Sequence, residues 1–247
     1  MPVSLPVAAA RFESFSGQHF AILALFAAGA VGLVLLGRTQ RGRLRNGESS
    51  VRLTSRVLAV AIACVAVPSQ LFWLSPGNFS ATSSLPLELC DLAWMTAVWA
   101  LWTRNPLPTA LTYYWGLTLT LQGILTPSLG QVFPDPEFFV FWAKHLLVVW
   151  SALYLTLGLG LGPSWRDYRL SVAVTAAWAS VVYAFDVALD ANYGYLARKP
   201  ESASLLDAFG PWPVYIPVSM GILVAGWALI TWPWVTSRTR PITWADA

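Results

Sequence analysis

Apolar residues fall in blocks of about 20, the length that crosses a bilayer core as a helix, with short polar stretches between. The blocks run roughly from His19 to Gly37, Thr54 to Leu74, Leu87 to Thr103, Thr109 to Thr126, Phe138 to Leu161, Leu170 to Leu189 and Trp212 to Val235. The pattern predicts an all-α, polytopic membrane bundle of seven transmembrane helices, the third and fourth being the shortest. Composition agrees: of 247 residues 56% are hydrophobic and 11% charged, where a soluble domain carries charge on roughly a quarter. No separate soluble domain is expected, so residues 1–247 read as one transmembrane domain. The N-terminal MPVSLPVAAARFESFSGQHF has no basic stretch ahead of its apolar run, and the first block reads as retained rather than as a signal peptide.

The net charge of +3 conceals a segregation by position. Arg38, Arg41, Arg43, Arg45, Arg52 and Arg56 crowd residues 38–56 between the first two blocks, which makes that stretch a cytoplasmic loop by the positive-inside rule. Threading from this anchor puts the N-terminus outside and the C-terminus in the cytoplasm, with Arg104, Arg166, Arg169, Arg238 and Arg240 also inside. Of the 15 basic residues only Arg11, Lys144, Arg198 and Lys199 then fall elsewhere. The third and fifth helices both enter from the outside, so Cys90 lies about 5 Å and His145 about 10 Å below their starts at 1.5 Å per residue. Gln122, Asp186 and Asp190, late in outward-running helices, share that layer with the loop from Asp190 to Pro211. Polar side chains at such a depth normally face a cavity or the bundle interior.

The chemistry in this layer centres on LPLELCDLAW, residues 85–94. Leu85-Pro86 reads as the opening of the third helix, with Cys90 near its first turn, where unpaired N–H groups and the helix dipole favour a thiolate. Against this, a free cysteine is most often simply buried, and a charged Glu88 would oppose ionisation. His145, inside FFVFWAKHLLVVW, is a candidate general base. Lys144 either snorkels to the surface or helps hold the thiolate, and Asp91 is placed to pair with a basic residue. Cys64, mid-way along the second helix, reads as structural, and a Cys64–Cys90 disulfide is not expected.

On the fourth helix Tyr114, Thr118, Gln122 and Thr126 recur every four residues as a polar stripe, beside small residues Gly116, Thr120 and Gly123 suited to close packing. The stripe is either hydrogen-bonded glue between helices or the lining of a reaction cavity. The outer loop, rich in prolines and aromatics, reads as an ordered cap. Its Arg198 and Lys199 are placed either to hold a phosphate head group or to pair with Glu201 and Asp207. No metal-ligand spacing is present, no cofactor is implied, and the arginines are explained by topology and anionic lipid rather than nucleic acid.

LPLELCDLAW, WGLTLTLQGILTPSLG, the HLL after Lys144 and NYGYLARKPESASLLDAFGPWPVY together resemble the motifs of bacterial YwaF-like membrane proteins, which belong with eukaryotic transmembrane protein 164. The resemblance covers about residues 60–235 and leaves out the arginine-rich stretch and the termini. It implies a seven-helix bundle and, from the eukaryotic branch, a phospholipid acyltransferase using a cysteine and a histidine, roles that map onto Cys90 and His145. Glu88 departs from the pattern, because YwaF-like proteins often carry histidine two residues before the cysteine. The expected activity is transfer of a fatty acyl chain from a phospholipid, through a Cys90 thioester, to a lysophospholipid in the outer half of a bacterial cell membrane. Gln122, Asn192 and Lys199 are the candidate oxyanion donors, and Asp186 joins them as a candidate substrate-binding residue. Two alternatives stay open: a non-enzymatic lipid-binding, transport or membrane-assembly protein, and an intramembrane lipid hydrolase in which water takes the acyl group.

Overall fold

The computed structural model describes residues 12–44, 49–127, 129–200 and 204–236. Arg11, Arg45, Glu201, Arg238 and Arg240, to which the charge pattern assigns sides or partners, lie outside the described residues. Regular structure is helical, at 77%, with no strand among the described residues. Helix α1 spans Gly17–Leu44, α2 Ser49–Leu74 and α3 Leu89–Thr103. Helix α4, Pro106–Tyr114, continues through a π-helical segment π1, Trp115–Thr120, into α5, Leu121–Leu125. Helix α6, Pro136–Leu153, likewise continues into π2, Tyr154–Gly158, and is followed by α7, Trp165–Leu189, and α8, Tyr215–Thr236.

Among the described residues five helices are long and apolar enough to cross a membrane: Gly17–Gly42, Ser49–Leu74, Pro136–Gly158, Trp165–Leu189 and Tyr215–Thr236. Helix α3 has only 15 residues, and the α4–π1–α5 rod is diluted by tyrosines, threonines and Gln122, so neither joins that set. The stretch 38–56 is not chiefly a loop. Helix α1 runs on through Arg38 and Arg41, and α2 already holds Arg52 and Arg56, because arginine, leucine and glutamine favour helix even where they are too polar for hydrocarbon.

Helix ends follow from local chemistry. Pro106 and Pro136 open α4 and α6 at positions where the missing N–H costs nothing. Ser164 and Asp167 exchange hydrogen bonds at the start of α7 as a capping box. Arg104 and Asp190 end α3 and α7 in left-handed conformations, at φ 55° and φ 51°. At the end of π2 the carbonyls of Leu157 and Gly158 accept from the Arg41 guanidinium of α1 at 2.9 to 3.1 Å, a cation at the negative end of a helix. The two elements meet there because neither Gly37 nor Gly158 carries a side chain. A Cβ on Gly37 would stand 2.6 Å from the Gly158 Cα.

The core lies where α3 packs against α2, α4 and α6. Ile62, Leu101, Trp115, Tyr154 and Trp227 fill it and are almost wholly buried. Tyr114, on the polar stripe, bonds Thr231 of α8 at 2.6 Å, and Thr118 accepts from Trp227 at 3.1 Å. For this half of the stripe the reading as glue between helices holds.

Candidate functional site

Helix α3 begins at Leu89 with Glu88 as its N-cap residue, later than Leu85-Pro86, because residues 85–88 are held as a turn by partners outside the helix. The Leu85 N–H donates to the Tyr193 hydroxyl at 3.0 Å, and that hydroxyl donates to the Ala81 carbonyl at 3.0 Å. The Leu87 carbonyl accepts from the Trp178 indole at 3.0 Å. Glu88 does not cap its own helix but accepts from the Gly194 N–H at 2.9 Å. Gly194 has φ +63°, and a Cβ there would stand 2.5 Å from the Trp178 ring. Only glycine combines that backbone with that contact.

The described parts of the loop after α7 therefore form a cap, as its composition suggests. Asp186 is 1% exposed. Its Oδ1 accepts from the Tyr193 N–H at 2.9 Å, while Oδ2 is buried with no partner among the described residues. Asn192 Oδ1 accepts from the Arg198 N–H at 2.9 Å. Arg198 pairs with Asp190 at 2.9 Å and Lys199 with Asp207 at 3.4 Å, so both basic side chains take carboxylate partners within the loop. Lys199 also lies over the Tyr215 ring, 5.7 Å from its centroid. The Tyr215 hydroxyl bonds the Tyr195 carbonyl, and the Trp212 indole bonds the Leu196 carbonyl at 3.1 Å.

Beneath this cap Cys90 is the second residue of α3, even nearer the helix start than the apolar block implies. Asp91 pairs with Lys144 at 3.0 Å, with side-chain exposures of 14% and 18%. The ion pair joins α3 to α6 one residue from Cys90 and one residue from His145. Lys144 thus neither simply snorkels nor answers to the thiol alone; its charge is matched by Asp91.

His145 is 6% exposed. Its Nδ1 lies 2.7 Å from the Phe141 carbonyl, which can only accept, so in the neutral ring Nδ1 carries the proton and Nε2 is bare. The ring leans on Phe141 with centroids 4.1 Å apart. Its Cδ2–Nε2 edge is pressed to α5 at Gly123, where a Cβ would stand 2.6 Å from Cδ2 and 2.7 Å from Nε2. Gly123 thus makes the close packing read from the sequence, with an imidazole as its neighbour. Among the described residues no hydrogen bond joins Cys90 to His145. Gln122 is exposed on the rod. Cys64 lies exposed on the outside of α2, and both cysteines are free.

The second histidine, His19, is fully buried. Its Nδ1 accepts from the Phe15 N–H at 2.8 Å and its Nε2–H donates to the Ile124 carbonyl at 2.8 Å. It ties α1 to the end of α5 and has no spare nitrogen. Sequence pattern does not single out His19, Trp178 or Gly194; the available signal is a polar or small residue inside an otherwise apolar run. No group of three His, Cys, Asp or Glu side chains among the described residues is placed to hold a metal ion.

A model of the TMEM164 family matches residues 14–231. The chain belongs to the TMEM164 family. The match reaches well before residue 60, so α1 and the arginine-rich stretch lie inside the family's region rather than outside it. No curated protein and no solved structure matches the chain.

Proposed function

We propose that this protein is a membrane phospholipid acyltransferase that carries the acyl chain as a thioester on Cys90. Membership of the TMEM164 family is consistent with a membrane acyltransferase-like role. The observation that carries the reading is the Lys144–Asp91 ion pair, which supports a common layer for the thiol and the imidazole on its two flanks. His145 Nε2 takes the Cys90 proton and the sulfur attacks the ester carbonyl of a glycerophospholipid. The tetrahedral adduct collapses, and the leaving alkoxide takes the proton back from the imidazolium to depart as a lysophospholipid. A lysophospholipid hydroxyl then gives its proton to Nε2 and attacks the thioester, and the thiolate leaves and is reprotonated. Gln122, Asn192 and Lys199 remain the proposed oxyanion donors, each worth on the order of 3 kcal/mol where aligned, with Asp186 lining the substrate side. In the resting arrangement Nε2 rests on Gly123, so the sulfur–imidazole contact has to form as lipid enters, as catalytic hydrogen bonds often do.

The same reading sets the bundle in a bacterial cell membrane with seven spans, the N-terminus outside and the C-terminus in the cytoplasm. Arg38 and Arg41 near the end of α1, Arg52 and Arg56 at the start of α2, Arg104 after α3 and Arg166 and Arg169 at the start of α7 support one basic, inward-facing end.

The test is labelling of purified protein with a phospholipid bearing a clickable acyl chain. Wild-type protein should acquire a hydroxylamine-sensitive acyl group on Cys90 and pass it to added lysophospholipid, while Cys90→Ala should do neither. Release of free fatty acid in place of transfer would make the protein a hydrolase. Absence of acyl on Cys90, with no change in lipid products between wild type and Cys90→Ala, would overturn the enzyme reading.

A further inference from the structure

At the opposite end of α3, about 20 Å from Cys90 at helical rise, a cavity of about 230 Å³ opens between α2 and α3. It is lined by Arg52, Ser55, Arg56, Leu101, Trp102 and Arg104. An arginine at the C-terminus of a helix is ordinary, since it complements the dipole. Arg52 and Arg56 instead stand in the first two turns of α2, at the positive end of that helix, so the dipole does not explain a cavity lined by all three. Arg56 lies over the Trp102 ring at 5.3 Å from its centroid, a contact that orients the guanidinium without neutralising it. Burial, then the neighbouring charges of Arg52 and Arg56, hold Arg104 below its ordinary pKa, with Tyr154 acting the other way.

A second observation points into the same cavity. Ser55 is 1% exposed, and its Oγ has no hydrogen-bond partner among the described residues. The Tyr154 hydroxyl beside it gives its own proton to Gln40 at 2.7 Å, so it has none to offer the serine oxygen, and Gln40 donates to Thr54 at 3.0 Å. A buried hydroxyl left without a partner costs on the order of 1–3 kcal/mol, and a bound acceptor would remove that cost. Guanidiniums prefer oxyanions that take two parallel N–H bonds, above all phosphates.

We propose that this cavity binds a phosphate-bearing anion, with the Arg56 and Arg104 guanidiniums on its oxygens and the Ser55 hydroxyl donating the innermost hydrogen bond. The volume decides its size. Drug-sized ligands occupy about 300–1,000 Å³, so about 230 Å³ holds a phosphate and a few atoms of its substituent but not a whole nucleotide. A lipid head group at the membrane surface and free inorganic phosphate both meet that description, and basic pockets between helices favour the former. The site is separate from Cys90 and stands or falls apart from acyl transfer.

Full-length protein in detergent is titrated with dioctanoyl phosphatidylglycerol, inorganic phosphate and the phosphate-free dioctanoylglycerol, following the thermal unfolding midpoint. Phosphatidylglycerol should raise the midpoint saturably, with at least tenfold weaker apparent affinity in the Arg56→Gln/Arg104→Gln variant and a three- to tenfold loss in Ser55→Ala. Protection by phosphatidylglycerol alone identifies a lipid head group, and equal or better protection by inorganic phosphate identifies the soluble anion. In parallel, phenylglyoxal modification of wild-type protein is mapped by mass spectrometry. Arg56 and Arg104 should be shielded at least fivefold by the phosphate ligand and not by dioctanoylglycerol, a readout that needs no variant to fold. If dioctanoylglycerol protects as well as the phosphate ligands, or nothing shields the two arginines, the proposal is wrong.

Discussion

His145 and Gly123 show how much one missing methyl group decides. Because the imidazole edge that bears the free nitrogen lies on the Gly123 Cα, Gly123→Ala must swing the ring and break the Nδ1 hydrogen bond to Phe141. The expected result is an overpacking cost of about 1–3 kcal/mol and at least a tenfold slower acylation of Cys90, read from the labelling rate alongside an unfolding curve. Asp207 offers a second test at this scale. The Ser204 N–H, and then Lys199, hold its carboxyl below the ordinary carboxylate range. A depressed carboxyl stabilises the fold above its unfolded value of about 3.9 and loses that contribution as pH falls through the folded value. Hydrogen exchange in residues 204–209, corrected for intrinsic rate, should therefore rise at acid pH in wild type. In Asp207→Asn it should already be raised at pH 7 and lose that acid dependence. Sequence displayed these side chains but not their partners. Asp91 invites a basic residue and finds Lys144, whereas nothing in the order of residues says that Glu88 will reach a glycine N–H more than a hundred positions away.

Between elements, the Lys144–Asp91 pair sets how α6 meets α3. With 18% and 14% exposure the pair is shielded but not dry, so neutralising one partner should cost less than the about 3–5 kcal/mol of a fully buried pair. Lys144→Met and Asp91→Asn are each expected to lose about 2 kcal/mol in unfolding experiments. The double variant should lose less than their sum, and purely additive losses would show that the contact is not a coupled one. The apolar blocks outlined the helices closely, since spanning length and hydropathy leave few other solutions. They missed the π segments, Trp115–Thr120 and Tyr154–Gly158. A wider turn leaves no mark in composition, and it is read only from which carbonyl each amide meets, as with the Leu159 N–H on the Tyr154 carbonyl at 2.8 Å. The same widening breaks the four-residue repeat: Tyr114 and Thr118 turn inward to α8 while Gln122 is exposed.

For the whole molecule, an outer surface rich in exposed leucine, valine and tryptophan is the surface of a protein solvated by lipid. Cys64, exposed on the side of α2, tests that placement. In proteoliposomes it should resist a membrane-impermeant maleimide and react only once detergent replaces the bilayer, whereas equal labelling in both would move α2 out of the membrane. Finally, the turn that precedes α3 is closed by Tyr193, Trp178 and Gly194, residues that leave the ribosome about a hundred positions later. During synthesis the chain must therefore insert its first helices with the turn ahead of Cys90 still open. A nascent chain arrested before Tyr193 would leave Glu88 and the Leu85 amide without their partners, and it is the arrival of the last third of the polypeptide that completes the roof.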